Sequence, residues 1–205
     1  MTLASLLAYS LALAIAAAIP GPGVIALVAR ALGSGLGHGL AFLAGLVLGD
    51  LTYLAAACFG LAIVAEAFGE IFVVVRYGAA AYLAYLAYRL WRSAGQGIGV
   101  EALVAGRPSA SFTAGVMVTL ANPKTIFFYL ALLPTLLDLS AIGLGDFALL
   151  VVATSLVLFA VLTPYAALAA RARGLLKHPA LLARLNRGAA AILAGAAVWT
   201  VLRRV

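Results

Sequence analysis

The chain has 205 residues, 66% of them apolar and 9% charged, with a formal net charge of +7 and a mean hydropathy of +1.19. A soluble domain carries about a quarter charged residues, so a soluble globular protein is excluded and an all-α polytopic membrane protein is expected. One cysteine, Cys58, and two histidines, His38 and His178, rule out an internal disulfide, a CxxC redox pair and a thiolate metal cluster, and argue against a soft-metal site. No cofactor, no metal ligand set and no enzymatic centre is expected.

Six apolar stretches are long enough, or nearly so, to cross a bilayer, which takes about 20 residues: 3–29, 39–65, 71–91, 112–136, 147–170 and the shorter 188–202. The first has no Lys or Arg ahead of it and exceeds a cleavable signal core, so it is read as a retained span. Its middle holds Ala18-Ile19-Pro20-Gly21-Pro22-Gly23. A helix in lipid must satisfy its own backbone, so such a break is costly unless it lines a protected cavity.

The second stretch and its approach set Gly35, Gly39, Ala41, Gly45 and Gly49 at spacings that let helix backbones approach closely. Packing is the preferred reading, within the chain or across a homodimer; Gly49 beside Asp50 also leaves room for a ligand. The third carries Tyr82, Tyr85 and Tyr88 and ends in Arg89, Trp91 and Arg92, an interfacial belt, with Tyr82 deep enough to face a cavity. The fourth is broken at Leu120-Ala121-Asn122-Pro123-Lys124. Pro164-Tyr165 in the fifth suggests a kink.

The loops after spans one, three and five hold nine basic residues: Arg30, Arg89, Arg92, Arg107, Arg171, Arg173, Lys177, Arg184 and Arg187. The other side holds Arg76, Arg203 and Arg204 with Glu66, Glu70, Asp138 and Asp146. The positive charge therefore fits loops at a membrane face rather than nucleic acid, and puts the odd loops in the cytoplasm and both termini outside. If the short last span does not cross, the C-terminus moves inside.

Asp50 and Lys124 remain, at membrane depth and of opposite sign. Each is disfavoured there by about 2.5–3.5 kcal/mol on insertion scales. They are read as a substrate or proton site, as a buried ion pair that only fixes packing, or as side chains reaching an interface.

The string Gly78-Ala79-Ala80-Ala81-Tyr82-Leu83-Ala84 resembles Gly188-Ala189-Ala190-Ala191-Ile192-Leu193-Ala194 at an offset of 110, and Pro22 and Pro123 are offset by 101. One membrane domain, 1–205, is thus read as two repeats, about 1–91 and 112–205, joined by a cytoplasmic loop over 92–111. Three spans per repeat force opposite orientations, the inverted-repeat plan of many secondary transporters, whose sites lie at discontinuous helices. After a break, free N–H groups and the positive dipole end suit a carboxylate; before it, carbonyls suit an ammonium or a cation. A zwitterionic amino acid matches both, with Lys124 near the carboxylate and Asp50 taking the ammonium or a proton.

Pro20-Gly21-Pro22, the glycine series with Asp50, Gly60-Leu61, Tyr77 to Leu83 through Arg89, and Asn122-Pro123-Lys124 with Phe127, Phe128, Leu133 and Pro134 together resemble the LysE/RhtB family of amino acid exporters. The ordered set covers nearly the whole chain; the tail after span five matches least. The resemblance implies an inner-membrane exporter of amino acids or close derivatives, usually driven by the proton gradient. Its implied functional positions are Pro20, Gly21, Pro22, Asp50, Asn122, Pro123 and Lys124. An exporter of a cation or heavy metal from a related family is the alternative, disfavoured by the lack of a Cys–His cluster. A thiol or electron carrier is disfavoured by the missing cysteine pair; a purely structural membrane protein or passive channel would be excluded by efflux that depends on the proton gradient. With Asp50 as the lone acidic group at depth, a neutral or hydroxylated amino acid is favoured over a cationic one.

Overall fold

The computed structural model describes residues 1–60 and 107–172, with scattered helical residues between 81 and 92 and between 184 and 198. Of spans 71–91 and 188–202 only those scattered residues are described, so neither copy of the repeated string is described throughout, and most of the 92–111 loop lies outside the described residues. The described part is all-helical, without strands.

Helix α1 (Leu3–Ala18) starts at a reciprocal cap, with Ser5 N donating to Thr2 Oγ1 at 3.2 Å and Thr2 N to Ser5 Oγ at 3.1 Å. It stops before Pro20 because a proline pushes the preceding residue out of the helical region; Ile19 is extended, at φ −71°, ψ 118°. Helix α2 (Pro22–Ser34) restarts with proline in its first turn, where the missing N–H costs nothing. Gly35 ends it at φ 85°, a left-handed backbone that suits glycine. α2 thus carries Arg30 inside the helix and buried, not in a loop as the sequence suggested.

Helix α3 (Leu36–Gly60) is continuous. Helix α4 (Pro108–Leu120) ends at the second break, and Asn122 caps α5 (Pro123–Phe127), its Oδ1 accepting from Lys124 N at 3.1 Å. The chain runs through a wide π-type turn (Phe128–Leu132) into α6 (Leu133–Leu136). Pro134 has no N–H to give Leu130, which favours such a widened turn. Asp138 accepts from Ser140 Oγ at 2.6 Å and Ser140 N at 3.1 Å, and these bonds hold its carboxyl below the usual range, charged in the loop. Helix α7 (Leu144–Ala172) passes through Pro164 without ending.

Two of these helices, α3 and α7, are long and apolar enough to cross a membrane, and up to four spans result if each bent pair counts as one: α1 with α2 at 59°, and Pro108–Leu120 with Pro123–Leu136 at 53°. They correspond to the expected spans one, two, four and five.

Side-chain contacts fix the helix directions. Tyr9 on α1 bonds Thr154 on α7, and further on Tyr165 bonds Ala18, so α1 and α7 run parallel. His38 Nδ1 meets Ser111 Oγ at 3.0 Å at the starts of α3 and α4, and Tyr53 reaches Leu120 near their other ends, so these two are parallel as well. α3 and α4 touch backbone to backbone. A Cβ on Gly45 would fall 2.0 Å from Phe112 O, and one on Gly115 would fall 2.1 Å from Phe42 O. Leu3, Leu7, Leu11 and Ile15 on α1, and Leu149, Val152 and Leu156 on α7, are exposed apolar residues, as faces toward lipid would be.

Candidate functional site

The two breaks meet. Lys124, the last residue of the second break, sends its ammonium to the first, donating to Ala16 O and Ile19 O, each at 2.8 Å. A helix leaves its last carbonyls without internal partners, and Lys124 supplies charged donors to two of them. Tyr165 Oη supplies a third, donating to Ala18 O at 2.8 Å. At the second break, Tyr53 Oη donates to Leu120 O at 2.7 Å. An ammonium has three N–H donors, so Lys124 keeps one beyond these carbonyls.

A cavity of about 50 Å³ lies between the breaks, lined by Asp50, Lys124, Asn122, Thr119, Gly23 and Val24 among others, with Leu13, Phe128, Leu158 and Leu162 as its apolar walls. It has room for several waters but is far below the roughly 300 Å³ at which ligand pockets begin. No side chain caps the start of α2, so its first-turn N–H groups at Gly23 and Val24 are available on the cavity wall. At α5 the comparable N–H, that of Lys124, is already taken by Asn122.

Asp50 and Lys124 share the cavity wall without forming a direct ion pair; they feel one another through space. Behind Asp50 stand Tyr53, which is buried, and Tyr129, whose fully buried hydroxyl lies beside Asp50 and Tyr9. Tyr9 in turn bonds Thr154 Oγ1. Thr119 Oγ1 donates to Leu46 O at 3.2 Å, tying α4 to α3 at the cavity floor. Among the described residues no group of three or more His, Cys, Asp or Glu side chains gathers as a metal site would need.

Of the positions expected from sequence, Asp50, Asn122 and Lys124 come together around the cavity. Pro20 is exposed, and Pro20, Gly21, Pro22 and Pro123 shape the breaks without lining the cavity. Gly21 sits against Lys124: a Cβ there would be 3.5 Å from Nζ. Gly49 faces Thr119, where a Cβ would come within 2.6 Å of Thr119 Cβ, so it serves the helix contact. Sequence reasoning missed Tyr9, Tyr53, Tyr129 and Tyr165. Tyr53 follows Asp50 by less than one helical turn and Tyr165 follows Pro164 directly; this adjacency was the available signal.

The model of the LysE type translocator family matches residues 14–203. An uncharacterised membrane protein of Synechocystis is 34% identical over 190 residues, 93% of this chain and 89% of its own. A homoserine/homoserine lactone efflux protein of Salmonella typhimurium is 30% identical over 192 residues, covering 92% and 93%. A leucine efflux protein of Enterobacter is 29% identical over 139 residues, covering 67% and 65%. No solved structure matches. With long apolar helices broken around a polar cavity and a family match along nearly its whole length, this multi-pass membrane protein belongs to the LysE type translocator family.

Proposed function

We propose that this chain exports amino acids or close derivatives across the inner membrane by proton antiport, with alternating access around the cavity between the breaks. The observation that carries the reading is Lys124 bridging the second break to the first beside Asp50. The substrate carboxylate binds the free N–H groups at the start of α2 and the remaining N–H of Lys124. The substrate ammonium binds Asp50. A proton competes for the same carboxylate, so release of the amine on one side and of the proton on the other are coupled. The small cavity must widen to admit a substrate. The relatives named for homoserine, homoserine lactone and leucine efflux favour a neutral or hydroxylated amino acid.

Two opposed three-span repeats supply the rocking element. Parallel pairing of α1 with α7 and of α3 with α4 supports them: exchanging span one for four and two for five turns one pair into the other. Gly39, Gly45 and Gly49 are used in contacts inside the chain, which leaves a homodimer to form through another face.

The test is amino acid profiling of cells overexpressing the chain and fed dipeptides. Homoserine or leucine should accumulate in the medium several-fold over the vector control, and a protonophore should remove the increase. Asp50→Asn should lower efflux at least tenfold. Wild-type efflux from Asp50→Asn, or no amino acid rising with the intact chain, would overturn the reading.

A further inference from the structure

The two tyrosine bonds at the breaks have the same form. Ala18 is the last residue of α1 and Leu120 the last residue of α4, so each tyrosine takes the terminal carbonyl of a half-helix that ends at a break. Pro22 and Pro123 then open the following half-helices. Tyr165 comes from span five and Tyr53 from span two. Under the two-fold exchange of an inverted repeat, span one replaces four and two replaces five, so Tyr165 on Ala18 becomes Tyr53 on Leu120. Tyr53 and Tyr165 are 112 residues apart and Ala18 and Leu120 are 102 apart, close to the offsets of 110 and 101 that the repeated string and the break prolines gave. The distances also agree, 2.7 and 2.8 Å.

The bonds are placed to act on different gates. α1 and α4 enter from opposite faces. At 1.5 Å per residue, the tip of α1 lies about 24 Å from its start and the tip of α4 about 20 Å from its own. With spans oriented by the positive-inside rule, α1 runs toward the cytoplasm up to its tip and α4 runs toward the outside up to its own. Neither tyrosine lines the cavity, so neither is a substrate ligand in this state. Lys124 has no such twin: the position after Pro22, which would match it, is Gly23.

We propose that Tyr53 and Tyr165 are a matched pair of positioning residues, each latching the tip of one broken helix, and that transport releases them in turn: Tyr165 when the cavity opens to the cytoplasm, Tyr53 when it opens to the outside. The inference rests on the alternating-access reading above. Both latches are closed here, alongside a cavity too small for substrate. Each release exposes a carbonyl that water entering the opened side can satisfy.

The test uses the full-length protein with Cys58→Ser and one reporter cysteine on the cavity wall, Leu13→Cys or, independently, Leu162→Cys. A membrane-impermeant maleimide is applied to right-side-out and to inside-out vesicles, and the ratio of labelling rates reads the facing equilibrium without reference to any substrate. Tyr165→Phe should raise cytoplasmic-side labelling at least threefold relative to the other side. Tyr53→Phe should move the ratio at least threefold the other way, and the double variant should lie between them. Shifts in one shared direction, or a wild-type ratio in both single variants, overturn the proposal. Homoserine and leucine efflux is measured on the same strains. Opposed shifts without wild-type efflux of any amino acid would uphold the latches and overturn the export reading.

Discussion

Lys124 shows how a residue of one sequence neighbourhood acquires its role from another. Its position next to Pro123 suggested a ligand for the carboxylate end of a substrate. Its ammonium instead anchors to Ala16 O and Ile19 O at the other break, with one N–H left for the cavity. Lys124→Met keeps the length and apolar stem but strips both charged bonds. It should lower thermal stability in detergent by about 1–3 kcal/mol, the usual worth of bonds to a charged group, and lower efflux at least tenfold. Differential scanning fluorimetry and the dipeptide-fed efflux assay read the two effects. Unchanged melting would show that the ammonium does not hold the break together.

Among elements, the contact of α3 with α4 sets the floor of the cavity. In a bilayer, helices gain little from hiding apolar surface from one another, so close backbone packing matters more. Gly45 and Gly115 allow that closeness reciprocally, each lying against the backbone of the other's helix where a Cβ of its own would clash. Gly45→Ala or Gly115→Ala must push the helices apart, at a cost of about 1–3 kcal/mol or more for overpacking. Both should melt earlier than wild type. Gly143→Ala, where a Cβ would meet nothing within 4 Å, should not, and is the control. The breaks are element-scale features too. Proline chemistry ends α1 and starts α2 and α5, so these interruptions could be read directly from Pro20, Pro22 and Pro123. The widened turn after Phe127 was not foreseen, because Pro134 acts on a carbonyl one turn earlier.

For the whole molecule, charge and packing make a joint prediction about orientation. Ser109 stands at the start of α4 and Ser140 in the turn before α7, beside the charged Asp138. The basic loops put Ser109 in the cytoplasm and Ser140 outside. In intact cells carrying Cys58→Ser, an impermeant maleimide should label Ser140→Cys and leave Ser109→Cys unlabelled until the membrane is permeabilised. The reverse pattern would invert the topology and with it the assignment of the tyrosine latches to the two gates.

Composition alone determined that this chain lives in a bilayer, since 9% charged residues cannot coat a soluble surface. Periodic apolar runs and prolines gave the spans and their breaks, because both act through local backbone chemistry. The lone charges Asp50 and Lys124 were conspicuous for the same reason: lipid penalises them wherever the chain folds. Tertiary structure decided which groups meet. Tyr9, Tyr53, Tyr129 and Tyr165 read in sequence as ordinary aromatic residues of spans. Only parallel docking of α1 with α7 and of α3 with α4 brings Tyr165 to Ala18 and Tyr53 to Leu120. Those partners are more than 60 residues apart in the chain, and no local propensity encodes a bond between them.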